Sequence, residues 1–433
     1  MDGTRTARTE RLLAVLAAGV LLAVSTPPPA AAQTCPAPAS VTAGVAPPLA
    51  AVRYLADDRL GGRLAGTAGE RCAGDFIAGE FKRLGLRPAG EQGYFQNLSL
   101  ASALNPHAPG GTGRNVLAAL DGADDVLKNE WIVIGAHYDH LGEGGAGSLA
   151  SSKAIHNGAD DNASGVAAML RAAERLVSSA RPARSVLFIA FTGEEAGLLG
   201  SAHFTRQPTV SGTLVAMINL DMVGRLGAGP LIAYGVDTAE EWRSILDPAA
   251  ARAGVTLATR GEGYGPSDHT SFYLKDVPVL HFFTNTHGDY HRPTDDWEKI
   301  DAAGLDTVAT LVAEVAGRAA ARRPVALTLR RGAGAPPDPA SQISRGGTYL
   351  GSIPDFAPVD RGVRISGVTA GSPADKAGLK GGDVIVGMGT VEVADLQGLT
   401  TALNAHTPGQ TVGVRLVRDG KALTLQVTLG ARK

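Results

Sequence analysis

Five short segments carry acids and imidazoles in positions where they could act together: GAHYD at 135–139, GADDNASG at 158–165, GEEAGLLGS at 193–201, NLDMVG at 219–224 and YHRPTD at 290–295. Imidazole and carboxylate together suit zinc, and a carboxylate can bridge two ions through its two oxygens. Two histidines, one shared Asp, one Glu and one further Asp suffice to hold two ions about 3.5–4 Å apart, each with an imidazole and a carboxylate of its own. Glu194 and Glu195 are neighbours in an extended segment, so their side chains diverge. If Glu195 points at the metals, Glu194 is left to hold a water and take its proton as general base. Taken singly, each segment has an ordinary reading. A His-x-Asp is usually a surface loop, a Glu-Glu pair a solvated turn and an Asp-Asp-Asn a helix cap, and Asp160 suits that capping role best. The argument for a metal site is their joint occurrence.

The elements that must position these residues are legible around them. Apolar, β-rich runs at 131–136, 186–191, 214–220 and 277–283 read as buried strands. Val166, Met169, Leu170, Ala173, Leu176 and Val177 recur at helical spacing, as do Phe76, Phe81 and Leu84 less regularly. Buried strands alternating with amphipathic helices predict an α/β domain with a mostly parallel central sheet flanked by helices. In such sheets the chemistry lies in loops beyond the carboxyl ends of the strands, and the five segments follow the apolar runs in that way.

With those residues in view, the series resembles the bacterial leucyl aminopeptidase-like family of co-catalytic dizinc exopeptidases, over roughly 49–318. The resemblance implies two Zn2+ held by His137, Asp161, Glu195, Asp221 and His291, with Asp161 as the bridge. It makes Glu194 the general base, Asp139 and Asp295 carboxylates that orient the imidazoles, and Tyr290 a phenol that steadies the oxyanion. It implies hydrolysis of N-terminal residues from peptides or proteins by a metal-activated water. Other histidines compete. His281 lies inside an apolar run and reads as core, and His287 lacks the Thr-Asp that follows His291. His269, in Ser-Asp-His, would line the substrate pocket, while His140 and His156 border the metal loops without an evident role. Two rival functions stand beside this one: a single-zinc aminoacyltransferase of the glutaminyl cyclase type, and a non-catalytic peptide-binding protein. The metal set alone does not decide which peptide end is read.

Past a Gly/Pro-rich stretch at 332–339, short alternating runs at 362–368, 384–386, 412–417 and 423–429 flank a helical segment at 396–403. This part resembles a PDZ domain. The resemblance implies a loop of Tyr349, Leu350, Gly351 and Ser352 that cradles the terminal carboxylate of a peptide ligand. The expected organisation is a signal peptide at 1–32, a catalytic domain at 33–323, a linker at 324–343 and a small β-rich PDZ domain at 344–430.

Three arginines before an apolar run at 12–24, and Ala30-Ala31-Ala32 before Gln33, form the leader. That run is too short to span a bilayer comfortably, so export to a secreted or periplasmic location is expected, with no stable membrane span after cleavage. In an oxidising compartment Cys35 and Cys72 could pair and tie the mature N-terminus to the first helix. The alternative is two unpaired thiols. A formal net charge of -2 gives no electrostatic reason to expect nucleic acid as a partner.

Overall fold

The computed structural model describes residues 1, 34–101, 110–145, 147–150, 152–227, 229–321, 327–332, 348–355, 359, 361–369, 371–394 and 396–431. The leader lies outside the described residues, as does most of the expected linker. Two short helices, α1 (Pro38–Thr42) and α2 (Pro47–Leu55), lead to α3 (Ala68–Arg83), β1 (Arg87–Pro88), β2 (Phe95–Ser99), β3 (Thr112–Leu120) and β4 (Glu130–His137). Then come α4 (Gly165–Val177), β5 (Ser185–Phe191), α5 (Leu199–Arg206), β6 (Thr213–Leu220), β7 (Leu231–Tyr234), α6 (Trp242–Ala253), β8 (Leu257–Thr259), α7 (His269–Tyr273), β9 (Val279–Phe283) and α8 (Ala302–Ala319).

These strands form one sheet in the order β1-β3-β5-β4-β6-β9-β7-β8, with β2 paired to β3. The centre, β5-β4-β6-β9, is parallel. The flanks join it through antiparallel pairs, β3 to β5 and β7 to β9, so the sheet is mixed and its parallel part is the region that carries the site. Both faces are covered, which is why the central strands are continuously apolar. Alternate residues point to opposite faces. Ile132, Ile134, Phe188 and Ile218 pack with Val166, Met169, Val308 and Val312 of α4 and α8. Val133, Leu187, Ile189 and Met217 pack with Phe204 of α5 and Phe272 of α7.

Helix ends follow their sequence signals. The Thr67 side chain accepts from the Glu70 amide to start α3, and Asp301 accepts from Ala303 and Gly304 to start α8. Cys35 and Cys72 form a disulfide, S–S 2.01 Å, across a sequence separation of 37 residues. The helix it ties down is α3, the third rather than the first. Tyr54 reinforces the tie by stacking on Phe76 at 4.1 Å and donating to the Pro36 carbonyl at 3.0 Å.

The expected boundary at 323 falls short of the contacts, because 327–332 pack with the larger N-terminal part. Leu329 forms an antiparallel bridge with Ala239, Thr328 donates to Glu241, and Arg331 pairs with Asp276 at 2.7 Å. The C-terminal module comprises β10 (Thr348–Tyr349), β11 (Ser352–Asp355), β12 (Val363–Val368), α9 (Pro373–Lys376), β13 (Val384–Met388), β14 (Val391–Glu392), α10 (Leu396–Asn404), β15 (Thr411–Arg418), β16 (Lys421–Thr428) and β17 (Gly430–Ala431). Its main sheet runs β11-β12-β13-β15-β16, and it has its own core around Ile365, Ile385, Met388, Val414 and Leu416. Among the described residues no helix is long and apolar enough to cross a membrane.

Candidate metal centre

His137 is the last residue of β4, Glu194 and Glu195 follow β5, Asp221 follows β6, and His291 lies in the loop after β9. Asp161 sits in the turn that feeds α4. All are therefore at the carboxyl rim of the parallel strands, where β4 lies between β5 and β6 and successive crossovers diverge.

The five expected ligands converge. Asp161 lies between the imidazoles, Oδ1 3.3 Å from His137 Nε2 and Oδ2 3.2 Å from His291 Nε2. His137 Nε2 also faces Asp221 Oδ1 at 3.3 Å, and His291 Nε2 faces Glu195 Oε2 at 3.3 Å. Each imidazole nitrogen thus meets two carboxylate oxygens, although it has at most one hydrogen to give. Two donors about 2.0–2.1 Å from one tetrahedral ion are about 3.3 Å apart, so these spacings suit an ion inside each half and Asp161 shared between them. The donor set fits two zinc ions. Glu194 Oε2 stands further off, 4.0 Å from His137 Nε2.

Charge argues the same way. Asp139, Asp161, Glu194, Glu195, Asp221 and Asp268 crowd into one little-exposed region. Without a metal, burial and neighbouring acids push Glu194 well above the usual carboxylate range, and burial lifts Asp139 to about 8. Burial alone would also lift Asp161 and depress both imidazoles. Instead the hydrogen bonds from His137 and His291 hold Asp161 well below its ordinary value, while Asp221 and Glu194 hold His137, and Glu195 and Asp161 hold His291, well above theirs. Such an excess of buried acid is what divalent cations neutralise.

The backbone around the ligands is fixed by polar side chains of the same segments. Asn162 accepts from the Gly165 amide at 2.9 Å and the Met222 amide at 3.2 Å, and donates to the Leu220 carbonyl at 2.9 Å, which ties the Asp161 turn to the Asp221 turn. Ser164 donates to the Asp160 carbonyl and accepts from Val223. Asp160 accepts from the Gly224 amide at 2.7 Å and takes His287 on its other oxygen at 3.0 Å, so both it and His287 hold the scaffold. Ser267 donates to Asp221 Oδ2 at 2.7 Å and Asn219 donates to Ser267, fixing the oxygen that faces away from His137.

Two residues were not singled out by sequence. Arg63 is fully buried and donates to the carbonyls of Leu55, Tyr138, Asn157 and Gly158, clamping two ligand loops from behind. Burial brings its guanidinium down to about 10. His140, passed over as a bordering residue, places Nδ1 2.7 Å from Glu195 Oε1. No motif marks Arg63. The HYDH run did place His140 beside the site.

The Asp139 carboxylate is 3.8 Å from His137 Nδ1, whose nearer partner is the Asp139 carbonyl at 3.3 Å, and Oδ1 of Asp139 accepts from the Glu194 amide. Asp295 does not reach an imidazole. It accepts from the amides of Asp160 and Asp161 and pairs with Arg225 at 2.8 Å, while His291 Nδ1 finds the Gly147 carbonyl at 2.7 Å. Tyr290 stacks on His291 with centroids 3.9 Å apart and packs against Met222, Ile232 and Phe283. His281 is a buried core residue that accepts from Asn219, with His269 stacked on it at 4.5 Å. His156 bonds Ser148. In the C-terminal module the carbonyls of Leu350 and Gly351 accept from Ala374 and Thr369, and the Leu350 side chain enters the core. Tyr349 pairs in β10, and Ser352 opens β11, the end strand of its sheet.

Against known proteins, residues 115–316 match Peptidase family M28 and residues 352–429 match the PDZ domain. A probable leucine aminopeptidase of Arthroderma otae is 33% identical over 193 residues, covering 42% of this chain and 52% of that protein. The chain thus spans about half the length of that curated relative. Among solved structures, a Zn-dependent exopeptidase from Parabacteroides distasonis superposes with TM-score 0.52 at 22% identity, covering 62% of this chain and 96% of that one. A glutaminyl cyclase from Bacteroides thetaiotaomicron superposes with TM-score 0.51 at 21% identity, covering 62% and 95%. Both likenesses establish the fold, which the two activities share. The chain carries a Peptidase family M28 domain followed by a PDZ domain.

Proposed function

We propose that the protein is an exported, zinc-dependent aminopeptidase with a two-metal centre, and that its PDZ module binds peptide C-termini. The single observation that carries the reading is Asp161, whose two oxygens face the two imidazoles at 3.3 and 3.2 Å while each imidazole also meets a carboxylate of its own. His137, Asp161 and Asp221 would hold one zinc, and His291, Asp161 and Glu195 the other. When bound, the two ions supply Lewis acidity, polarising the scissile carbonyl and lowering the pKa of the attacking water.

The protein's own groups do the rest. Glu194, next to the His137 half with Oε2 4.0 Å from His137 Nε2, takes the water's proton at its carboxylate and passes it to the leaving amine. Tyr290, stacked on His291, offers its phenol to the developing oxyanion. Met222, Ile232 and Phe283, beside Asp221 and Tyr290, provide an apolar wall for a substrate side chain. Asp139 and Asp295 hold the loops of Glu194 and Asp161 by their amides. Export is supported by the leader and by the Cys35–Cys72 disulfide, which suits an oxidising compartment. Peptide capture is supported by β11, whose pairing is with β12 alone among the described strands, leaving an edge for strand addition.

The test is metal removal and substitution together. Exhaustive chelation should abolish cleavage of aminoacyl substrates, and two zinc equivalents should restore it. Glu194→Gln should keep both ions yet lower turnover by about 10²–10⁴-fold, whereas Glu195→Gln should lose metal. Restoration by a single equivalent, with cyclisation of N-terminal Gln, would move the protein to the glutaminyl cyclase class. The reverse behaviour of the two variants would exchange the roles of the acids.

A further inference from the structure

We infer that His140 is a positioning residue for the metal pair. It hydrogen-bonds the oxygen of Glu195 that faces away from His291 and so sets the zinc affinity of the half formed by Glu195, Asp161 and His291. The inference rests on the two-zinc reading above and adds to it a residue that is not one of the five ligands.

The distances separate the two oxygens of Glu195. Oε2 is 3.3 Å from His291 Nε2, the spacing of two donors around one ion, whereas Oε1 is 2.7 Å from His140 Nδ1, the length of an N–H···O bond to an ionised carboxylate. His140 Nδ1 is 3.9 Å from Asp161 Oδ2, too far for either relation. His140, Asp161 and Glu195 do lie close enough to enclose an ion, but the short contact inside that trio is a hydrogen bond. One oxygen of Glu195 is thus committed to the metal and the other to His140.

The ring is built in to do this. It has no exposed surface, and its backbone amide donates to the Arg63 carbonyl at 3.2 Å. One edge lies against Gly158, where any Cβ would collide with the imidazole, and His291 stands edge-on at 5.8 Å. Its second nitrogen, Nε2, is buried with no hydrogen-bond partner among the described residues, so the contact to Glu195 is the hydrogen bond its ring makes there. A carboxylate ligand held this way loses less freedom on binding metal and presents a fixed lone pair. Removing such a supporting partner typically lowers metal affinity by about 10–100-fold.

Asparagine and glutamine discriminate the role, because the Asn amide nitrogen falls where Nδ1 stands and the Gln amide nitrogen where Nε2 stands. Zinc affinities of the full-length metal-free proteins would be measured by chelator competition, alongside thermal melts without metal. His140→Gln should weaken one of the two zinc sites by about 10–100-fold and leave the other unchanged, while His140→Asn stays close to the parent. Parent-like binding by His140→Gln overturns the proposal, as does an equal loss in both variants. If His140→Gln fails to fold, a folded His140→Asn protein that has lost one zinc overturns it as well. His291→Ala is the reference. If it retains both ions the two-zinc reading itself fails, whereas if it loses one and His140→Gln loses none, only the role of His140 falls. Loss in His140→Gln as complete as in His291→Ala would make His140 a ligand and reject positioning.

Discussion

At the scale of single residues, the candidate cluster was readable because side chains able to hold zinc are of few types and, in such sheets, follow strand ends. The five expected ligands follow from that pattern and from the resemblance, and the structure brings their side chains together with Glu194 beside them. Their support was less readable, since a buried arginine that binds carbonyls has no partner type to search for, as Arg63 shows. Asp295 was expected beneath an imidazole and instead holds two amides of the Asp161 turn, a role that sequence spacing does not distinguish. Another buried acid makes a pH prediction. Glu70 has no exposed surface and accepts from Tyr138 and, at 3.0 Å, from Thr192, and burial pushes its pKa up. With the folded value above the unfolded one, its contribution to stability is full below the ordinary carboxylate range and is lost as pH rises through the elevated value. Glu70→Gln keeps an acceptor oxygen and removes the proton linkage. The drop in urea midpoint from about pH 5 to about pH 8 should therefore be smaller in the variant than in the parent, and an equal drop would reject the assignment.

At the scale of elements, the four central strands and α4 were legible to within two residues, because strands buried on both faces are continuously apolar. The antiparallel flanks were not. β1 is a two-residue strand and β7 and β8 are little longer, and none is long enough to show a period. β3 interrupts its apolar run with Arg114 and Asn115, whose side chains bond Asp75 and Gln96. The turn before α4 depends on one glycine. Gly158 has φ +53°, and a Cβ there would meet the Asp161 carbonyl and the His140 ring, both of them parts of the site. Gly158→Ala should therefore cost about 1–3 kcal/mol of unfolding free energy and weaken zinc binding, read by denaturant melts and metal titration. A variant with parent stability and affinity would mean that the turn can shift without moving Asp161.

At the scale of the molecule, the M28-matching part and the PDZ module each have a core of their own. Composition put the linker at 324–343, but Thr328, Leu329 and Arg331 belong by contact to the larger N-terminal part. A chain ending at Gly332 should keep the parent rate on short aminoacyl substrates, and one ending at Arg323 should melt several degrees lower, since it loses that bridge and the Arg331 pair. Identical melting of the two would show that the 327–332 contacts add nothing. Longer polypeptides should lose rate in both, because a tail held by the module raises their local concentration. A last consequence follows from where the ligands lie. No two of the five adjoin in sequence, and the sheet must form before His137, Asp161, Glu195, Asp221 and His291 share a rim. On the two-zinc reading, the unfolded chain therefore offers no version of the site, and metal would enter after the sequence-distant pairings that limit the folding rate are made. Zinc should accordingly leave the refolding rate of disulfide-intact protein almost unchanged while lowering the logarithm of the unfolding rate in proportion to the binding stabilisation. Chevron plots with and without metal would show one limb moving and the other still. A refolding limb accelerated by zinc would place ligand assembly in the transition state.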